Sequence, residues 1–224
     1  MEISSPTYTG PTPGSPEQVT AIMENLRRMY PDAKCSLNFS NPLELLVATQ
    51  LSAQCTDERV NLVTLSLFKK YPTVEDYATV SQEDFEQDVK STGFYHNKAR
   101  NIRAAAQRII TEFGGEVPRT MNEIMTLPGV ARKTANVVLG NAYGIVEGVV
   151  VDTHVGRLAR RFGWTTSEDP VKVEQDLMRI LLRKDWLDAS HLMIYHGRAL
   201  CMARKPLCAQ CALVKLCPSA FVGA

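Results

Sequence analysis

The sequence has no run of 18 apolar residues, so no transmembrane helix is expected. Its opening, MEISSPTYTGPTPGSP, lacks both the basic and the apolar segment of a secretory signal, which points to a cytoplasmic protein. No repeat of fixed period and no strand-like alternation is present, which argues against solenoids and sheet-based folds. Net charge is scarce as well. At +1 over 224 residues, the chain as a whole is not a polybasic nucleic-acid binder.

What is present is an ordinary globular composition, 45% hydrophobic and 22% charged, enough to bury one core or two small ones. The charge is unevenly spread: the first 120 residues are net acidic and the remainder net basic. The excess can be placed in residues 191–224, where Arg198, Arg204, Lys205 and Lys215 meet no Asp or Glu. That segment is either a solvated basic tail or a phosphate-binding one. Residues 1–14, rich in Pro, Gly, Ser and Thr, read as a disordered tail.

Helical signals fill the rest. Ser15-Pro16-Glu17 begins a helix with Val19, Ile22, Leu26 and Met29 at helical spacing. Asn41-Pro42 begins a second, LELLVATQLSAQ, apolar all round and therefore buried. Further helices are expected over about 57–70, from Ser81, from Asn97 to Gly114, from Thr120 to Pro128, after Lys133 to about Asn141, after Asp169-Pro170, and up to Leu200. VVVD at 149–152 is expected to be an extended link between helices. The fold class is all-α.

Two clusters carry chemistry. Cys201, Cys208, Cys211 and Cys217 follow C-x6-C-x2-C-x5-C, with Gly197, Pro206 and Pro218 bending the chain around them. In a chain without a secretory signal, four such thiols point to a metal centre, either a four-cysteine zinc site or an iron–sulfur cluster. Cys35 and Cys55 match no ligand spacing and read as core residues.

The second cluster is LPGVARKTAN, Leu127 to Asn136. A Pro-Gly turn feeding a helix start is either a plain turn or an anion site made of free N–H groups. Lys133 falls in the first turn, where a cation is disfavoured by a few tenths to about 1 kcal/mol. It is either an exposed surface lysine or one held partly desolvated as the free, nucleophilic amine. Asp152, in VDTH, is either the N-cap of the next helix or a carboxylate that stabilises a sugar cation. His154 reads as a packed or capping histidine.

Together LSAQCTD at 51–57, LPGVARKTANVVL at 127–139, VDTH at 151–154, HGRALCMARKP at 196–206 and the four cysteines resemble the endonuclease III family of DNA glycosylase/AP lyases. The resemblance spans about 43–218. It implies a helix–hairpin–helix DNA glycosylase fold. A six-helix barrel domain over 36–146 would carry the hairpin at about 118–141. A discontinuous iron–sulfur domain over 15–35 and 147–224 would complete it, with a DNA cleft between the two. It further implies Lys133 as nucleophile, Asp152 as catalytic carboxylate, and Cys201, Cys208, Cys211 and Cys217 as ligands of a [4Fe–4S] cluster. Gln54 would fill the gap left by a flipped base, and Phe94 stands where a leucine wedge is usual. Gly129, Val130, Ala131, Arg132 and Thr134 of the hairpin, with Arg204 and Lys205, would bind DNA. The implied partner is double-stranded DNA with a damaged pyrimidine or an abasic site. A monomer, nucleoid-associated in a bacterium and bound to no membrane, is expected.

The sequence departs from the family at Ala131 (usually glycine), Leu207 (usually basic) and His96 (often asparagine). Two alternatives compete. The adenine mismatch glycosylases of the same superfamily lack the lysine and use a glutamate near LSAQ; Lys133 is present here, and no glutamate stands at that place. A non-catalytic helix–hairpin–helix binding module would need the hairpin and basic segment but neither Lys133 nor Asp152.

Overall fold

The computed structural model describes residues 8–221 and is all-helical, with no strand among them. The helices are α1 (Pro16–Met29), α2 (Pro42–Leu51), α3 (Asp57–Lys70), α4 (Val74–Thr79), α5 (Gln82–Val89), α6 (Tyr95–Phe113), α7 (Met121–Ile124), α8 (Arg132–Tyr143), α9 (Thr153–Arg161), α10 (Pro170–Ile180) and α11 (Trp186–Ala199). Side chains start most of them. Ser15 accepts from Gln18 N–H ahead of α1, and Asn41 from Glu44 N–H ahead of α2, each with proline in the first turn. Thr120 caps α7, although Glu123 reaches back to its hydroxyl, 2.7 Å away, rather than to its backbone.

Residues 35–147 form one compact unit. Here α2 packs on α8, while α4 and α5 pack on α6. The middle of its core is α2, with Leu45, Leu46 and Leu51 essentially inaccessible; each such side chain stabilises the fold by roughly 1.5–3 kcal/mol. Cys35 and Cys55 pack against this core, in keeping with their reading as core residues. Helix α2 ends at Leu51, so Gln54 lies in a turn beyond it rather than on the helix. Helix α4 has no counterpart in the sequence reading, because its six residues are too few to display a period.

The described residues of 1–34 and 148–224 form the other unit. Ile22 and Leu26 of α1, Val155 and Leu158 of α9, Leu177 of α10 and Met193 of α11 meet in its core. The link at 149–152 is extended, as its composition suggests, with Val149 and Val151 in the core and the Val150 N–H donating to Ser190 Oγ at 3.0 Å. The expected disordered tail needs correction over 8–14. Tyr8 donates its hydroxyl to the carbonyls of Pro11 (2.6 Å) and Leu216 (3.3 Å), which pins that segment; residues 1–7 lie outside the described residues. Gly197 is also corrected: it lies inside α11 and bends nothing. A methyl there would come within 3.0 Å of Arg157 and His154, so the glycine permits close packing of α9 on α11.

Candidate functional site

In the unit of residues 35–147, a recess of about 190 Å³ is lined by Gln50, Ala53, Gln54, Phe94, Asn97, Lys98, Asn101 and Gly129. Its rim is built from unusual backbone. Gln54 (φ +52) and Phe94 (φ +49) adopt left-handed conformations, which cost roughly 1–2 kcal/mol each for residues with a β-carbon. Phe94 is nevertheless 66% exposed, so a large apolar ring is held in solvent by strained backbone. Strain of this kind persists where the surrounding structure over-determines it, and it clusters at binding sites.

The hairpin follows the same logic. The Val130 N–H closes the turn onto the Leu127 carbonyl at 3.1 Å, and Gly129 sits at φ +75. A methyl on Gly129 would fall 2.9 Å from Asn101 Cβ, so glycine is required both by conformation and by contact. The α2 residue Gln50 fixes the turn by donating Nε2 to the Pro128 carbonyl at 2.9 Å. Ala131, at φ −95, is the N-cap of α8 and supplies no capping side chain; its methyl carries no backbone strain. The first-turn N–H groups of α8 thus have no side-chain acceptor at the cap, which suits an anion. Lys133 is the second residue of this helix and is exposed, which matches the surface-lysine reading rather than partial desolvation. Arg132 reaches the Glu147 carbonyl at 3.4 Å. His96, two residues beyond Phe94, lies 2.7 Å from Glu86 and packs against Tyr95.

In the other unit Asp152 is the N-cap of α9. Its Oδ1 accepts from His154 N–H (2.9 Å) and Val155 N–H (2.8 Å), and its Oδ2 lies 2.9 Å from His154 Nδ1. The carboxylate is half-buried and fixed in place by three contacts. All four cysteines of the C-terminal motif line one apolar pocket with Phe162, Leu200, Leu207, Leu213 and Val214. Among the described residues no three His, Cys, Asp or Glu side chains converge closely enough to hold a single metal ion. Arg161 binds this loop from α9, donating Nη1 to Cys201 Sγ (3.0 Å) and to the Met202 carbonyl (2.9 Å), and Nη2 to the Ala203 carbonyl (3.1 Å). His196, pushed down to about 4 by burial and so neutral at neutral pH, lies between Tyr30 Oη and Cys211 Sγ. Burial pushes the Cys217 thiol up to about 11 and raises Cys211 as well. Arg204 and Lys205 are exposed on this loop, and Lys205 (φ +53) is the third non-glycine residue with positive φ among those described.

A model of the HhH-GPD superfamily of base excision DNA repair proteins matches residues 47–183. Endonuclease III of Synechocystis is 54% identical over 204 residues, covering 91% of this chain and 93% of that protein. The chain belongs to the endonuclease III family. Endonuclease III of Bacillus subtilis is 48% identical over 202 residues, 90% of this chain and 92% of its own length. A solved endonuclease III–DNA covalent intermediate, trapped as an estranged-adenine complex, superposes with a TM-score of 0.87 at 46% identity, over 92% of this chain and 97% of that one. The all-helical architecture is therefore the helix–hairpin–helix glycosylase fold of the endonuclease III structures. The stretch matched by the superfamily model contains the recess, the hairpin, Lys133 and Asp152, and it stops short of the four cysteines.

Sequence reasoning missed four residues that organise these places: Gln50, Lys98, Asn101 and Arg161. Lys98 left a signal, a lysine on the apolar stripe of α6 formed by Ala99, Ile102, Ala105, Ala106 and Ile109. Gln50 and Arg161 left none, since an amide or guanidinium bonded to backbone follows no pattern in sequence, and the contact of Asn101 with Gly129 left none either.

Proposed function

We propose that this chain removes oxidised or ring-damaged pyrimidines from double-stranded DNA and then cuts the strand 3′ to the abasic site, with Lys133 as nucleophile and Asp152 as the charge-stabilising carboxylate. It is a base excision repair DNA glycosylase with AP lyase activity, and DNA is its partner. The observation that carries the assignment of parts is the recess: two residues in left-handed conformations, Gln54 and Phe94, share it with the hairpin glycine. A damaged base must leave the stack before chemistry, at a cost of a few kcal/mol. Phe94 is suited to hold the stack apart and Gln54 to fill the vacated place. The hairpin residues Gly129, Val130 and Ala131, with Arg132 and Thr134 at the start of α8, would meet a phosphate.

The chemistry then follows from Lys133. Its neutral amine attacks the sugar C1′ while the C1′–N bond to the base breaks. The departing base takes up a proton released from Nζ; the C1′–O4′ bond then breaks, O4′ takes a proton, and the opened sugar is left joined to Nζ as an iminium. Bound DNA supplies the desolvation that favours the neutral amine, reinforced by the positive end of α8. The iminium withdraws electrons, so a proton leaves C2′ and the C3′–O bond breaks, releasing the 3′ phosphate. Asp152, fixed in place by its three contacts, offsets the positive charge that develops on the sugar. With borohydride present, the wild type is expected to cross-link to abasic DNA and Lys133→Ala is not. An undiminished cross-link in the variant would overturn the assignment.

The four cysteines would hold a [4Fe–4S] cluster, with 36–146 acting as the hairpin-bearing barrel domain and 15–35 with 147–224 as the cluster domain. The fit rests on the donor set and the pocket. Four soft thiols line one apolar space without closing to single-ion distances among the described residues, and burial disfavours the bare thiolates of Cys211 and Cys217 unless metal replaces their protons. When bound, such a cluster cross-links four points of the loop that carries Arg204 and Lys205, keeping both basic side chains available to phosphates. The purified protein should then be yellow-brown with about four irons per chain; stoichiometric zinc in colourless protein from iron-replete cells would contradict this. In a bacterium the enzyme would work on nucleoid DNA in the cytoplasm; among the described residues no helix is long and apolar enough to cross a membrane.

A further inference from the structure

Lys98 is the only buried lysine or arginine among the described residues, at 6% exposure. It stands in the first turn of α6, four residues after Phe94, and its Nζ donates to two backbone carbonyls, Leu51 at 2.8 Å and Thr92 at 2.7 Å. Those carbonyls belong to different segments. Leu51 closes α2 and leads through Ser52 and Ala53 to Gln54. Thr92 leads through Gly93 to Phe94.

We infer that Lys98 is a positioning residue for DNA opening: its ammonium ties the turn that carries Gln54 to the turn that carries Phe94 and sets the two to enter the duplex as a pair. The inference rests on the roles given to Gln54 and Phe94 above. Both residues hold conformations that L side chains rarely adopt, and such conformations persist only when neighbouring contacts fix them. Each turn has backbone bonds of its own, Ala53 and Cys55 N–H to the Gln50 and Ser52 carbonyls and Gly93 N–H to the Lys90 carbonyl, but none of these joins one turn to the other. Phe94 offers α6 no side-chain cap, and Gln54 follows a helix end whose last carbonyls need donors from outside the helix.

A cation suits that place for two reasons. The Lys98 Nζ donates to the last carbonyl of α2, where the peptide dipoles favour positive charge and oppose the disfavour of a cation in the first turn of α6. Bonds from an ionised donor are also stronger than neutral ones, and both acceptors here are main-chain atoms that no substitution alters. Burial lowers the pKa of Lys98 while the nearby Cys55 thiol opposes that shift; the two carbonyls are the acceptors that an ammonium requires and that a neutral amine would use less fully. Lys98 also lines the recess itself, beside Asn97 and Asn101. One side chain therefore touches the supports of both DNA-entering residues without being exposed as either of them is.

The test uses the full chain and a 5-hydroxycytosine lesion placed once in a duplex and once in the same strand alone. Single-turnover excision is measured for wild type, Lys98→Met, Lys98→Arg, Phe94→Ala and Gln54→Ala. Lys98→Met should lower the ratio of duplex to single-strand rate about tenfold, the worth of roughly one hydrogen bond to a charged group. Lys98→Arg, which keeps charge and donors, should restore most of that ratio. In a Phe94→Ala background, Lys98→Met should lower the ratio little further, because the two substitutions remove one device. Equal slowing on both substrates, or additive losses in the double variant, would overturn the inference while leaving Phe94 and Gln54 in their roles. If Phe94→Ala and Gln54→Ala themselves show no preference for the duplex, their roles fail and this inference fails with them. Should Lys98→Met not fold, Lys98→Gln, which keeps one donor, carries the same comparison with the same two outcomes.

Discussion

The two units hold their candidate residues in opposite ways. In residues 35–147 the candidates stand on exposed and strained backbone: Phe94 is two-thirds exposed, Gln54 and Phe94 are left-handed, and α8 begins without a capping side chain. In the other unit Asp152 and the four cysteines are enclosed and tied down, while Arg204 and Lys205 stay exposed. Asp152 is capped into α9 by three contacts, and the four thiols lie in an apolar pocket with Arg161 bonded across their loop. The contrast separates two tasks. A surface that must open a base stack keeps strained turns and a helix start without a capping side chain, which DNA itself completes. A surface that must present one fixed charge, or hold one fixed group, satisfies its contacts within the protein.

The largest expected effect tests the fixed charge. Asp152→Asn retains a capping oxygen, so stability should change by no more than about 1 kcal/mol. Loss of the charge should slow base excision by about 100-fold or more while DNA affinity is kept. Equal losses of affinity and rate, measured by binding isotherms and single-turnover excision, would reduce Asp152 to a cap and dissolve the contrast.

Next in size is the hairpin. Gly129→Ala places a methyl against Asn101 at positive φ, which should cost roughly 1–3 kcal/mol in chemical denaturation and clearly weaken binding to an abasic site. Ala131→Gly should change stability by up to roughly 1 kcal/mol through backbone entropy and leave affinity nearly as it was. If Ala131→Gly binds much more tightly, the methyl obstructs the phosphate and the hairpin has been misread.

The strained rim offers a subtler test. Phe94→Gly relieves the left-handed strain while raising the entropy of the unfolded chain, so stability should shift by less than about 1 kcal/mol. Excision from duplex should still fall, because the ring is gone. A stability loss of several kcal/mol would show that Phe94 serves packing, as the residues of the enclosed unit do.

The smallest effect concerns the basic loop. Removing Arg204 or Lys205 should lower the slope of log affinity against log salt by roughly 1. An unchanged slope would leave the loop a solvated tail.

Much of this was legible in the sequence, for physical reasons that differ by place. Helices such as α1 and α6 could be read because each carries an apolar stripe long enough to show its period, and Ser15 and Asn41 mark the starts of α1 and α2 by chemistry that needs no tertiary context. The hairpin was legible because Pro128-Gly129 restricts the backbone locally. The end of α2 was not: LSAQ is helix-compatible, and only tertiary contacts, Lys98 on Leu51 among them, stop the helix before Gln54. The bending role given to Gly197 failed for a related reason, because a glycine needed for close approach looks in sequence like one needed for a turn. Exposure was equally illegible. Nothing in GFYHNK says that Phe94 faces solvent, and nothing in VARKT says that Lys133 does.

The central claim is that Lys133, at the start of α8, is the nucleophile. The covalent complex formed on abasic DNA can be reduced with borohydride and digested, and the modified side chain located by mass spectrometry. The account predicts the sugar remnant on Lys133, in the peptide of α8. A remnant on another lysine, such as Lys98 beside the recess or Lys205 in the cysteine loop, would contradict it.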